Sequence, residues 1–411
     1  MHGTAWTGVV EAAKTHIVHT RIRSDCGGSR LAAVTYGENA AQKIIAASRM
    51  YRLAVLPGRG QETDRMTGEQ LGPRYTAEVS MIGRCAGRLA VGFSFLAVVF
   101  VIPSLAGAEA SKMTHTFKKV GDLEIKADVY QPEQAKGNGK LPVVVWIHGG
   151  ALINGHRESV PKWLLDGSLA QGWNVVSIDY RLAPETQLPE IVADLEDAFR
   201  WVREKGPELF HADSDRVAAV GGSAGGYMTL TSGFRAKPRP VALVSLWGYG
   251  DLVGPWYSEP SPHSRHQTTK LSREEAYKQV SGPPISDSRD RKGDGGGFYQ
   301  YCRQTGAWPK AVSGWDPHKE PEKFYPFMAL KNVTAEYPPT LLIHGDQDTD
   351  VPYEQSTLMA AELKKNGVEH KLITLKGAEH GLAGGNKAEI DAAYAAAMDF
   401  LKTHLAAASA K

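Results

Sequence analysis

Only three cysteines occur in 411 residues (Cys26, Cys85 and Cys302), and they lie too far apart for a redox CxxC or a metal-binding knuckle. The 14 histidines are scattered, with no pair at a zinc-site spacing, so no metal is expected. An excess of one charge is also lacking. The formal net charge of +2 gives no reason to expect nucleic acid or an anionic membrane surface as partner. No apolar run reaches the roughly 20 residues that a membrane-spanning helix requires. What remains is an ordinary globular composition, 22% charged and 42% hydrophobic, in a chain long enough for more than one domain.

The apolar stretch from Leu89 to Ile102 follows Arg84 and Arg88 and precedes Ala106-Gly107-Ala108. A basic start, an apolar core of about fourteen residues and a small-residue end are what a cleaved secretory signal needs. An uncleaved anchor and a buried helix are the competing readings; the short core and Pro103 weigh against the anchor. Residues 1–80 show no sustained period of 2 or 3.6 and carry no usable motif. The expectation is therefore translation from Met81, with 1–80 an unassigned, mis-assigned extension, 81–108 a signal peptide and 109–411 the catalytic domain. The mature chain would act in the periplasm or outside the cell, with no stable membrane insertion after cleavage. N-terminal sequencing of the native protein tests this, and a peptide from residues 1–80 would contradict it.

From about residue 115 the pattern becomes regular. Apolar, β-branched runs at 143–147, 174–180, 217–220, 241–246, 340–344 and 371–375 read as buried parallel strands. Residues 114–120 and 123–130 read as a hairpin turning at Gly121-Asp122. Helical periodicity fills 189–204, 354–366 and 389–405. Such alternation predicts an α/β protein, a mostly parallel twisted sheet with helices on both faces and catalytic groups at the carboxyl ends of its strands. Residues 251–335, rich in Pro, Gly, Trp and charge, break the alternation. They are expected to form an insertion over that edge, with short helices near 272–280 and 297–304. A surface excursion without a role is the alternative. Trp256, Tyr257, Trp308 and Trp315 in this segment either wall a substrate pocket or pack a core.

The run Gly221-Gly222-Ser223-Ala224-Gly225-Gly226 follows an apolar strand and precedes a helix. The small residues two before and two after Ser223 suit a nucleophile elbow, where the turn presses them against neighbouring backbone. GxSxG alone is weak, with about a quarter of a match expected by chance in this composition. A phosphate cradle is the rival, but neither a P-loop Lys nor GxGxxG accompanies the glycines, so no nucleotide or other cofactor is expected. A serine nucleophile needs a base and an acid, which in this chain order follow it. The strand at 340–344 leads into a loop holding Asp346, Asp348 and Asp350, and the next strand leads to His380 in Gly377-Ala-Glu-His-Gly381. His380 is the expected base. His344 precedes the acid and is expected to bond within its own loop. One oxyanion donor is expected at Ala224, at the helix start, and another from the loop His148-Gly149-Gly150-Ala151. His148 is expected to brace that loop.

HGGA at 148–151, DYRLAPE at 179–185, GGSAGG at 221–226, HGDQDTDVP at 344–352 and GAEHG at 377–381 resemble the α/β-hydrolase fold. The likeness is to its hormone-sensitive-lipase-like and bacterial feruloyl-esterase-like branch, over about 120 to 405. The resemblance implies Asp348 as the triad acid and oxyanion amides at Gly149, Gly150 and Ala224. Asp346 and Asp350 are then expected to shape the turn through side-chain to backbone bonds, and Asp179 and Arg181 to brace their loop. HGGA matches the lipase glycine triplet only in part, and HGDQDTDVP resembles prolyl-oligopeptidase-like and dienelactone-hydrolase-like loops equally well. The expected function is a serine carboxylic-ester hydrolase acting through Ser223, Asp348 and His380 on short-chain or carbohydrate-linked esters. Its partners would be small-molecule or polysaccharide-linked substrates. A prolyl-oligopeptidase-like peptidase and a non-catalytic hydrolase-fold binding protein are the alternatives, although no propeller-like repeat precedes the hydrolase region.

Overall fold

The computed structural model describes strands within residues 2–12, 15–23, 29–36 and 77–82, then residues 111–133, 139–268, 270–293 and 295–407. Two units divide the chain, Met1–Ile102 and Pro103–Lys411. In the first, β1 (His2–Ala12), β2 (Thr15–Arg23), β3 (Ser29–Tyr36) and β4 (Ala77–Ile82) pair in the order β3-β2-β1-β4, all antiparallel. Backbone ladders need only N–H and C=O groups, so a sequence without clean alternation still forms them. The last residues of β4, Met81 and Ile82, begin the expected signal segment; 83–108 lie outside the described residues. Among the described residues no helix is long and apolar enough to cross a membrane.

The second unit is built on eight strands: β5 (Ser111–Val120), β6 (Leu123–Gln131), β7 (Leu141–Ile147), β8 (Asn174–Ile178), β9 (Ala212–Gly222), β10 (Leu243–Leu246), β11 (Thr340–Gly345) and β12 (His370–Leu375). Their order is β12-β11-β10-β9-β7-β8-β6-β5. β7 to β12 run parallel, while β5 and β6 form the antiparallel hairpin, turning at Gly121 and Asp122. This is an open, mostly parallel sheet.

β7 shows why its sequence is apolar throughout. Val143, Val145 and Ile147 enter one core together with Ile191, Leu195 and Phe199 of helix Leu188–Glu204 and Tyr227 and Met228 of helix Ala224–Arg235. Val144 and Trp146 enter the other core, with Leu164 of helix Lys162–Ala170 and Ala397 and Leu401 of helix Lys387–Ala407. A strand covered on both faces has no polar side to show. Each such side chain contributes about 1.5–3 kcal/mol on burial.

The 251–335 insertion folds into short helices, among them Arg273–Lys278 and Gly296–Thr305, which lie within or close to the expected spans. It is more than a surface excursion. Tyr257, Phe298, Cys302 and Trp308 are buried in the same core as the sheet. Arg291 pairs with Glu185 of the DYRLAPE segment, both side chains nearly fully buried. Trp315 packs on Phe324 and Phe327. Of the two roles open to these aromatics, core packing is the one Tyr257 and Trp308 take.

Candidate active site

β9 ends at Gly222, and the chain turns sharply at Ser223 (φ 58°, ψ −122°) into helix Ala224–Arg235. A Cβ on Gly225 would lie 2.0 Å from the Ile147 carbonyl oxygen, so the elbow closes against the end of β7 only because that residue has no side chain. Ala224 opens the helix, where backbone N–H groups lack intrahelical acceptors and favour negative charge.

The loop after β7 lies beside the elbow. A Cβ on Gly149 would be 3.2 Å from Ser223 Cβ, and Gly150 adopts φ +108°. Of the expected oxyanion residues, Gly149 and Ala224 thus border Ser223, and Gly150 follows Gly149 in the same loop. His148 is buried beneath this loop. Its Nδ1 donates to the Gly149 carbonyl at 2.8 Å, its ring stacks on Tyr180 at 4.2 Å, and the Tyr180 hydroxyl donates to the His148 carbonyl at 2.9 Å. Burial pushes the His148 pKa down to about 4, which keeps it neutral as a brace. The Trp308 indole donates to the Ala151 carbonyl at 3.0 Å and ties the insertion to the loop.

The structure brings Ser223, His380 and Asp348 together. His380 Nε2 is 3.1 Å from Ser223 Oγ, and His380 Nδ1 is 2.7 Å from Asp348 Oδ2. Asp348 Oδ2 also faces His344 Nε2 at 3.2 Å, and Oδ1 accepts the N–H groups of Asp350 and Val351 at 2.8 and 2.9 Å. Burial alone would raise this carboxyl, but the bonds from His344 and His380 outweigh it and hold the pKa at about 2. His344 stays within its loop as expected, with Val351 O at 3.0 Å and Ser356 Oγ at 2.7 Å.

The expectation for the neighbouring aspartates needs correction. Asp346 does make a side-chain to backbone bond, but to the Gly377 N–H of the next loop at 2.7 Å and not within its own turn. Asp350 does not brace the turn either. Its Oδ1 accepts from the Tyr299 hydroxyl at 2.5 Å and bonds His266 Nε2 at 3.0 Å, while Oδ2 lies 3.7 Å from His380 Nε2. The turn N–H groups are already taken by Asp348, which frees the Asp350 side chain to face the site. Burial would raise the Asp350 carboxyl, but His266, His380, Tyr299 and Arg303 together drive it far below the usual carboxylate range. His266, Tyr299 and Arg303 come from the insertion, and no sequence spacing links them to the β11 loop. Trp247, just after β10, sets its ring edge-on to His380 at 6.4 Å and is a further site residue without a sequence signal. Arg181 and Asp179 brace their loop: Arg181 Nε donates to Asp194 at 2.7 Å, and Asp179 accepts from the Arg157 backbone and guanidinium at 2.7 and 2.8 Å. Among the described residues, no group of three or more His, Cys, Asp or Glu is placed to hold a metal.

Residues 127–242, from β6 past the elbow, match the BD-FAE family model, and residues 298–408, which hold Asp348 and His380, match that of the prolyl oligopeptidase family. A non-reducing polyketide synthase of Penicillium rubens is 28% identical over 325 residues, covering 68% of this chain and 13% of the synthase. The chain thus spans a small part of the curated relatives it matches. An alpha/beta hydrolase superfamily protein from Enterococcus faecalis superposes with a TM-score of 0.56 at 21% identity, covering 71% of this chain and 99% of that one. An acetyl ester-xyloside bifunctional hydrolase from Caldicellulosiruptor lactoaceticus does so with 0.51 at 19%, covering 71% and 96%. These likenesses show the fold.

Proposed function

We propose that this chain, which has the α/β-hydrolase fold, is a serine carboxylic-ester hydrolase. The observation that carries the reading is the continuous line Ser223 Oγ, His380, Asp348 at 3.1 and 2.7 Å. Ser223 Oγ attacks the ester carbonyl while His380 Nε2 takes its proton. Asp348 holds Nδ1–H and stabilises the imidazolium. The N–H of Ala224, with those of Gly149 and Gly150, receives the oxyanion; one such donor is typically worth about 3–4 kcal/mol. The tetrahedral species collapses to an acyl-serine as Nε2–H protonates the departing alcohol. Water, deprotonated by the same nitrogen, then releases the acid.

Short-chain and carbohydrate-linked esters are the proposed substrates. The Caldicellulosiruptor lactoaceticus hydrolase, an acetyl ester-xyloside enzyme with the same fold, supports that choice. The prolyl oligopeptidase match over 298–408 favours a second reading, a serine peptidase using the same three residues. Turnover of p-nitrophenyl acetate but not of a proline p-nitroanilide, lost in Ser223→Ala, supports the esterase. The opposite preference sinks it. Export is proposed on the order of basic, apolar and small residues from Arg84 to Ala108; an N-terminus of the native protein upstream of residue 81 would refute that.

A further inference from the structure

Among the ionised groups around Ser223, Asp350 is the one that the proposed chemistry leaves without a task. Its two oxygens differ. Oδ1 is taken by Tyr299 Oη at 2.5 Å and His266 Nε2 at 3.0 Å, with Arg303 Nε at 3.9 Å. Oδ2 accepts no hydrogen bond from any described residue; His380 Nε2 lies 3.7 Å from it and Arg265 Nη2 3.9 Å. The side chain keeps 11% of its surface exposed, and that of His380 keeps 15%. A carboxylate oxygen is thus held rigid, ionised and short of donors beside the nitrogen that must protonate the leaving alcohol.

We infer that Asp350 selects the alcohol half of the substrate, its Oδ2 accepting a hydrogen bond from a free hydroxyl on the carbon next to the esterified one. This rests on the esterase reading. The departing oxygen must come within about 3 Å of His380 Nε2, and a hydroxyl on the next carbon is then within reach of Oδ2, which lies 3.7 Å from that nitrogen. An alcohol without that hydroxyl strips water from a charged oxygen and returns nothing, a discrimination that buried polar groups make strongly. A carboxylate there would be repelled. A cationic alcohol gains little, because Arg265 and Arg303 already face Asp350. The favoured class is the ester of a polyol or sugar whose neighbouring hydroxyl is free. No bond to Asp350 forms or breaks; the proton still travels from Ser223 through Nε2 to the alcohol.

The test compares kcat/KM for glycerol 1-acetate and propyl acetate, which differ in the hydroxyls. Wild type is expected to favour the glycerol ester by about tenfold or more, the worth of a hydrogen bond to a charged group. Asp350→Asn should lower that ratio about tenfold. Tyr299→Phe, which frees Oδ1 without touching the substrate, should lower it by a smaller factor and covers the case where the first variant does not fold. Rates that fall equally on both esters would mean that Asp350 acts only through His380, and the inference is then wrong. A wild-type ratio near one overturns it too. Turnover of neither ester by wild type would remove the esterase reading itself, a result distinct from either of these.

Discussion

His344 Nε2 and His380 Nδ1 meet the same oxygen of Asp348, at 3.2 and 2.7 Å. The acid is therefore held by a second, fully buried imidazole that never reaches Ser223. Replacing His344 by Ala removes a donor to a buried carboxylate and leaves a void. We expect a loss of about 1–3 kcal/mol in urea unfolding. The same variant should lower kcat on p-nitrophenyl acetate by about tenfold or more, with KM little moved, because only the orientation of the acid is disturbed.

His148 and Asp348 titrate in separate windows. His148 is held neutral, with its pKa lowered from 6.5 to about 4, so stability present above pH 6.5 is lost as pH falls through about 4. The loss is on the order of 3 kcal/mol. Asp348, lowered from 3.8 to about 2, contributes above pH 3.8 and fails only as pH falls toward 2. In chemical denaturation between pH 7 and pH 4, wild type should lose more stability than His148→Gln, whatever other buried groups contribute equally to both. Equal slopes for the two proteins would contradict it.

Gly225→Ala puts a methyl group where the Ile147 carbonyl oxygen is 2.0 Å away. Backbone is the obstacle, so relief requires moving the elbow. Destabilisation of about 1–3 kcal/mol or more and loss of esterase activity are expected, read from thermal unfolding and initial rates.

Arg291 and Glu185 form a buried pair between the insertion and the DYRLAPE segment. Arg291→Met strands the Glu185 carboxylate and should cost about 3–5 kcal/mol. Adding Glu185→Gln to Arg291→Met should recover part of that loss. A double variant no more stable than the single one would show that the pair is not what joins the two segments.

The sequence is informative where local chemistry is decisive. The continuous apolar runs of β7 and β8 mark strands buried on both faces, and the glycines around Ser223 mark a turn with no room for side chains. His380 is legible from chain order and the end of β12. The role of Asp350 is not legible, because it depends on His266, 84 residues away across the insertion, and on which aspartate takes the turn N–H groups. Helix Lys162–Ala170 gives no clear periodic signal because Gly167 and Ser168 interrupt its apolar face, and contact with helix Lys387–Ala407 compensates: Gly167 packs on Met398.

If Ser223 is the nucleophile, a fluorophosphonate added to the whole protein should modify one residue, Ser223, as read by peptide mass spectrometry of the adduct. Ser223→Ala should carry no adduct, and its ester turnover should fall by about 10⁴-fold or more. An adduct on another residue, or ester turnover that survives Ser223→Ala, would contradict that role.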